Sequence, residues 1–190
     1  KCMLGLAISS FALNTMLPPD IRIRESAAAP DGFHARFSAC GKVYRYTFYN
    51  QRQMCAIGRQ YKAHVPVLMD AEKMDAEAQS LCGKHDFAAF AASGSVAKST
   101  VRTLYRAQVR RCGDDVVLTV LGDGFLYNMV RIIAGTLMEV GTGKREMGCI
   151  EEAIETGDRL ALGQTAPACG LALMRVLYDG DEEQALGYFE

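Results

Sequence analysis

The sequence predicts an α+β fold, in which helices pack on one face of a mostly antiparallel sheet. Several strand-length segments alternate apolar and polar residues, and the short turn at residues 112–115 joins two of them. Other segments space their apolar residues as helices do. Apolar residues make up 49% of the 190-residue chain and charged residues 23%. This balance is enough to bury a full core.

The chain begins with an apolar segment that superficially resembles a signal peptide. Polar residues interrupt it and Pro18-Pro19 stops it, so a packed helix over residues 3–16 is favoured. No stretch has the roughly 20 apolar residues of a membrane span. The remaining predicted strands lie at 20–25, 33–37, 43–50, 101–111, 116–122 and 170–178, and the remaining helices at 69–83, 126–140 and 149–155.

The helix at 69–83 carries its own start and stop signals. Asp70 is suited to cap the amino end, and Gly83 to end the helix. Lys73 and Glu77 are four residues apart, so the sequence predicts an ion pair between them on one helix face.

An aromatic stripe runs along the strand GKVYRYTFYN, residues 41–50. Alternation places four side chains on one face: Lys42, Tyr44, Tyr46 and Phe48. The pattern alone leaves two readings open, an ordinary core or a ring that holds a flat ligand.

Positive charge is concentrated in the first part of the chain. Residues 1–112 carry a net charge of +8 and residues 113–190 a net charge of −9. The strand at 101–111 places Arg102, Arg106 and Arg110 on one predicted face, with no acid among them. Either this half faces a polyanion, or the charges are an ordinary solvated surface.

Arg131 is the one charged residue between Asp123 and Glu139, within a helix of otherwise apolar and small residues. A partly buried guanidinium needs a partner, and a carboxylate or a phosphate suits its geometry. A local ion pair at the edge of the core is the alternative to a ligand.

The cysteines and histidines predict no metal site. Seven cysteines include no C-x-x-C pair, and the three histidines lie far apart. We therefore expect reduced thiols in a cytoplasmic protein, without a metal.

Five segments in order resemble the TruA-type tRNA pseudouridine synthases. They cover residues 12–21 (ALNTMLPPDI), 33–50 (FHARFSACGKVYRYTFYN), 102–104 (RTL), 125–141 (FLYNMVRIIAGTLMEVG) and 165–173 (TAPACGLAL). The resemblance implies a pseudouridine-synthase-like fold and an enzyme that detaches uracil from its ribose, rotates it and rejoins it through C5. It also implies that no cofactor is used, and that the substrate is the anticodon arm of tRNA at positions 38–40.

The family's nucleophilic aspartate lies in a G-R-T-D-x-G-V-H motif, which this chain lacks. We therefore expect residues 1–28 to be the remnant of an N-terminal domain with its connecting segment, and residues 29–190 to be the C-terminal synthase domain. The chain alone is then expected to be inactive, and the full-length protein to be the enzyme, as a homodimer.

The resemblance also assigns roles to individual residues. Tyr44 matches the tyrosine that packs on the flipped base, and Arg131 matches the arginine that pairs with the catalytic aspartate. Leu171 or Leu173 is expected to supply the apolar floor of the pocket. The basic residues expected to hold the RNA are Arg36, Lys42, Arg102 and Arg106.

One departure from the family pattern is visible, because the family often has histidine before MVR, where this chain has Tyr127 and Asn128. Two other hypotheses remain. The chain is either a non-catalytic RNA-binding module that uses Tyr44 and a basic sheet face, or a purely structural or dimerisation domain.

Overall fold

The computed structural model describes residues 10–92, 94, 98–178 and 185–189. The chain forms two compact units, one up to Ser38 and the other Ala39–Glu190. None of the described helices is both long enough and apolar enough to cross a membrane.

The first unit contains helix α1, described over residues 10–16, and otherwise turns and irregular chain. The predicted strands at 20–25 and 33–37 do not form. The side-chain amide of Asn14 instead pairs with the backbone of Ile23 in both directions, at 2.8 and 2.7 Å. The predicted segment at 33–37 is a turn, in which His34 Nδ1 accepts from the backbone amides of Arg36 and Phe37.

The second unit confirms the predicted α+β class. Its sheet has the strand order β2-β1-β5-β4-β3, and β6 also pairs with β1. All pairings are antiparallel except that of β1 with β2. The strands are β1 (Gly41–Tyr49), β2 (Ala63–His64), β3 (Gly83–Asp86), β4 (Val101–Cys112), β5 (Asp115–Gly122) and β6 (Leu171–Leu177).

Three helices of this unit are α2 (Ala71–Ala78), α3 (Met129–Gly141) and α4 (Cys149–Thr156). They pack on one face of the sheet, where Tyr46 and Phe48 are fully buried in the core. The apolar stripe of α3 is also buried: Met129, Ile132, Ile133, Leu137 and Val140. A smaller cluster lies on the opposite face: Val43, Leu121, Leu177, Ala185 and Phe189.

A β-bulge at Tyr105 overturns the predicted stripe of three arginines. Leu104 pairs with Gly122 but Arg106 pairs with Leu121, so Tyr105 is an extra residue in β4. The alternation therefore changes phase, and Leu104 and Ala107 both face the helices. Gly122 allows the Leu104 side chain to pack closely against β5, because a Cβ on Gly122 would touch Leu104.

The cap predicted for α2 is confirmed, since Asp70 Oδ1 accepts from the backbone amide of Lys73 at 3.0 Å. The predicted pair of Lys73 with Glu77 is wrong. Glu77 is buried, and its carboxylate accepts from the backbone amides of Gly148 and Ile150 at the start of α4, at 2.7 and 2.9 Å. Helical spacing alone does not show that this face of α2 packs against α4.

Candidate active site

Tyr44 lies on the helix-facing side of β1 and is half-buried. Its ring meets the ring of Phe125 edge to face, with centroids 5.1 Å apart and an interplanar angle of 80°. Burial raises the pKa of the Tyr44 phenol. The hydroxyl therefore stays protonated at neutral pH, and the ring offers an uncharged surface.

Two leucines of β6 lie opposite the tyrosines of β1 in the sheet. Leu173 pairs with Tyr44, and Leu171 pairs with Tyr46, so each leucine shares a sheet face with its tyrosine. Leu171 is half-buried against the core, whereas Leu173 is 49% exposed. The structure thus brings the predicted platform and the predicted apolar floor together. An exposed leucine next to a half-buried tyrosine is an open apolar surface.

Arg131 lies in the first turn of α3 and is half-buried. Its Nε donates to the carbonyl oxygen of Ala166 at 2.8 Å, and its Nη1 donates to Asn128 Oδ1 at 3.0 Å. Within the described residues no carboxylate pairs with this guanidinium, and Nη2 makes no hydrogen bond. The charge is thus held by two neutral acceptors, with one nitrogen left for a further partner.

The chain around Ala166 is fixed to α3 by several hydrogen bonds. The Ala166 amide donates to the carbonyl oxygen of Arg131 at 3.0 Å. Thr136 Oγ1 accepts from the amide of Gly163 at 3.0 Å. Glu139 Oε1 accepts from the amide of Gln164 at 3.1 Å. The position of the acceptor that holds Arg131 Nε is therefore set by the helix that carries Arg131.

Tyr46 ties the same segment to the sheet. Its hydroxyl donates to the carbonyl oxygen of Pro167 at 2.6 Å. Burial, with a smaller contribution from Cys169, raises the pKa of the Tyr46 phenol, while the charge of Arg131 acts in the opposite direction. Arg131 and the Tyr46 hydroxyl thus donate to two consecutive carbonyl groups, those of Ala166 and Pro167.

The bulge in β4 separates two of the predicted RNA-binding arginines. Arg102 shares the helix-facing side with Leu104, and its Nε lies 3.3 Å from the position of a Cβ on Gly124, next to Phe125. Arg106 faces the opposite side, with its guanidinium 4.6 Å from the centroid of the Phe189 ring. Of these two arginines, only Arg102 lies on the side of Tyr44.

The two remaining predicted RNA contacts lie in different units. Lys42 is in β1, two residues before Tyr44 and on the same face, opposite Gly122 of β5. Arg36 belongs to the first compact unit, where its guanidinium lies 5.7 Å from the centroid of the Phe37 ring.

Sequence reasoning missed two contributors to the site, the Asn128 side chain and the Ala166 carbonyl group. Asn128 carried a usable signal, because it precedes the helix and lies three residues from Arg131. The Ala166 carbonyl carried none, since a backbone acceptor 35 residues away has no sequence pattern. Nowhere in the described part of the chain do three or more histidine, cysteine or acidic side chains gather as metal ligands would.

Comparison with known proteins places the chain in one family. The family described as tRNA pseudouridine synthase matches residues 78–179, which include Arg131, Leu171 and Leu173. The chain belongs to the tRNA pseudouridine synthase family.

Similar proteins carry the name tRNA pseudouridine synthase A. The protein of Bacillus licheniformis is 48% identical over 169 residues, which are 89% of this chain and 68% of the relative. The protein of Acetivibrio thermocellus is 49% identical, over 89% of this chain and 69% of the relative. The protein of Geotalea uraniireducens is 46% identical, over 93% of this chain and 72% of the relative.

Proposed function

We propose that this chain is the base-binding part of an enzyme that isomerises uridine to pseudouridine in tRNA. The observation that carries the proposal is Arg131, a half-buried cation held by Ala166 and Asn128 without a carboxylate among the described residues. Such a group is suited to receive a carboxylate. The nucleophilic aspartate comes from outside these 190 residues, because the family's aspartate motif is absent from them.

The residues of the site have separate roles in this proposal. Tyr44 stacks on the uracil once the nucleotide has left the helical stack of the RNA. Leu171 and Leu173 cover an apolar side of the base and exclude water. Arg131 pairs with the nucleophilic carboxylate, which orients it and favours its ionised form.

The reaction is balanced without a cofactor. The bond from ribose C1′ to N1 of uracil breaks, and a bond from C1′ to C5 forms. The base loses the proton on C5 and ends with a proton on N1, so the product is an isomer of the substrate. The protein has to hold, rotate and reprotonate the base, and none of these steps requires an oxidant or a reductant.

The finer features of the proposal follow from the resemblance. We propose the anticodon arm, at positions 38–40, as the substrate, and a cytoplasmic homodimer as the working enzyme. The six cysteines in the described residues are free thiols, which is typical of a reducing compartment. The phosphate backbone is held by Arg36, Lys42, Arg102 and Arg106, and Lys42 and Arg102 act on the side of Tyr44.

We also propose that residues 1–28 belong to an N-terminal domain and its connecting segment, and that residues 29–190 form the C-terminal synthase domain. The proposed boundary lies ten residues before the division between the two compact units at Ser38. This boundary is tested by limited proteolysis of the full-length protein, with cleavage expected near residue 28.

The activity is tested by incubating the full-length protein with unmodified tRNA and separating the digested nucleosides by chromatography with mass detection. Pseudouridine is expected with the native protein. Arg131→Ala, and also Arg131→Lys, which keeps the charge but loses the planar fork, are expected to reduce it strongly. Binding of tRNA without any pseudouridine would overturn the enzyme proposal and favour the RNA-binding module.

A further inference from the structure

We infer that Asn128 is a positioning residue for Arg131, an inference that rests on the proposed function. Its side-chain oxygen accepts from Arg131 Nη1 at 3.0 Å. Both residues are half-buried. The amide of Asn128 therefore fixes one arm of the guanidinium while Ala166 fixes the Nε edge.

The backbone of Asn128 supports a dedicated role for its side chain. Asn128 is the only non-glycine residue with a positive φ in the described part of the chain, at 61°. Asparagine tolerates this left-handed conformation better than most residues, but glycine tolerates it best. Glycine would therefore suit the backbone at this position. The presence of asparagine indicates that its side-chain amide has a role that glycine could not provide.

Helix capping does not account for that amide. Asn128 occupies the N-cap position of α3, where asparagine ordinarily accepts from a backbone amide of the first turn. Here the side chain makes no capping hydrogen bond. Its oxygen accepts a hydrogen bond from Arg131 instead. The side chain of Asn128 thus serves the guanidinium and not the amino end of α3.

The neutrality of the amide matters for the proposed chemistry. Because Asn128 and the Ala166 carbonyl are uncharged, they orient Arg131 without neutralising it. Nη2 is left for the nucleophilic carboxylate. A carboxylate in place of Asn128 would hold the guanidinium equally well, but it would compete for its charge.

This difference separates positioning from a merely structural role. Asn128→Gly keeps the backbone conformation and removes the acceptor. Asn128→Asp keeps an acceptor of nearly the same shape and adds a negative charge. In the Asp variant the hydrogen bond to Arg131 is kept, but the added negative charge competes for the guanidinium. A merely structural role therefore predicts an active Asp variant, whereas a positioning role predicts an impaired one. Tyr127→Phe is the matched control, because Tyr127 is the exposed neighbour of Asn128.

Pseudouridine formation is measured for the full-length native protein and these three variants, with thermal melting of each. Both Asn128 variants are expected to lower kcat roughly 10-fold or more, with KM for tRNA changed less than about twofold, since a hydrogen bond to a charged group is lost or misdirected. The acid limb of the Asn128→Gly rate profile is expected to move to higher pH. A loosely held Arg131 lowers the pKa of the nucleophile less.

The outcomes separate this inference from the proposed function. If the native protein forms no pseudouridine, the proposed function fails. If the native protein is active and Asn128→Asp keeps kcat within about twofold, Asn128 is not a positioning residue. The same holds if Asn128→Gly melts at the native temperature and retains full kcat.

Discussion

Gly135 of α3 lies so close to Gln164 that a Cβ on the glycine would overlap the Gln164 carbonyl oxygen. This contact lets the segment that carries Ala166 run directly along the helix that carries Arg131. The hydrogen bond between Arg131 Nε and the Ala166 carbonyl depends on that approach.

Gly135→Ala is expected to push the segment away from α3 and to destabilise the protein by about 1–3 kcal/mol, because the contact is with backbone that cannot rotate aside. Pseudouridine formation is expected to fall further than the loss of folded protein explains. Urea unfolding and rate measurements check both. Gly187→Ala is the control, since a Cβ there meets nothing within 4 Å. Equal behaviour of the two variants would contradict the role of Gly135.

The platform role of Tyr44 predicts a contrast between two substitutions. Tyr44→Phe keeps the ring and its edge-to-face contact with Phe125, so the rate is expected to stay within a few-fold of the native value. Tyr44→Ala removes the stacking surface and is expected to lower kcat/KM roughly 10–100-fold, as the loss of one stacked base does elsewhere. Full activity of Tyr44→Ala in the nucleoside assay would rule out the platform.

The opposite placement of Arg102 and Arg106 predicts how their effects combine. If both hold the RNA backbone, Arg102→Glu and Arg106→Glu each weaken tRNA binding. For each variant the slope of the logarithm of the binding constant against the logarithm of the salt concentration also becomes shallower, by about one unit. Their effects are expected to add, because the side chains lie on different faces of the sheet.

Filter binding at several salt concentrations measures these slopes, and Lys73→Glu is the control on a part of α2 with no proposed RNA contact. An effect of Arg102→Glu without one of Arg106→Glu would confine the RNA to the side of Tyr44. No effect of either would favour a purely structural domain.

The buried carboxylate of Glu77 predicts a large effect on stability away from the site. Glu77→Ala leaves the amides of Gly148 and Ile150 without their acceptor, which is expected to destabilise the protein by about 2 kcal/mol. Glu72→Ala is the control, because Glu72 is an exposed residue of the same helix. Equal unfolding midpoints of the two variants in urea would show that the hydrogen bonds of Glu77 contribute little to stability.

Sequence patterns predicted most of the fold of the second unit because its longer elements have strong periodicity. The predicted end of α2 at Gly83 was wrong, since α2 ends at Ala78 and Gly83 begins β3. Asp70 as the cap of α2 is a local contact of three residues, and such contacts can be read from spacing. The strand predicted at 20–25 failed for the opposite reason. Extended chain becomes a strand only beside a partner, and Asn14 supplies the hydrogen bonds at Ile23 instead.

The sequence by itself determined the α+β class, the aromatic stripe of β1 and the isolated charge of Arg131, because each depends on residue type and on periodicity along the chain. Only the tertiary structure decided which face Arg102 takes, since a single extra residue at Tyr105 reverses the alternation. It also decided how Arg131 is held. Its two acceptors, Asn128 and the distant Ala166 carbonyl, meet at the guanidinium only once α3 packs against that segment.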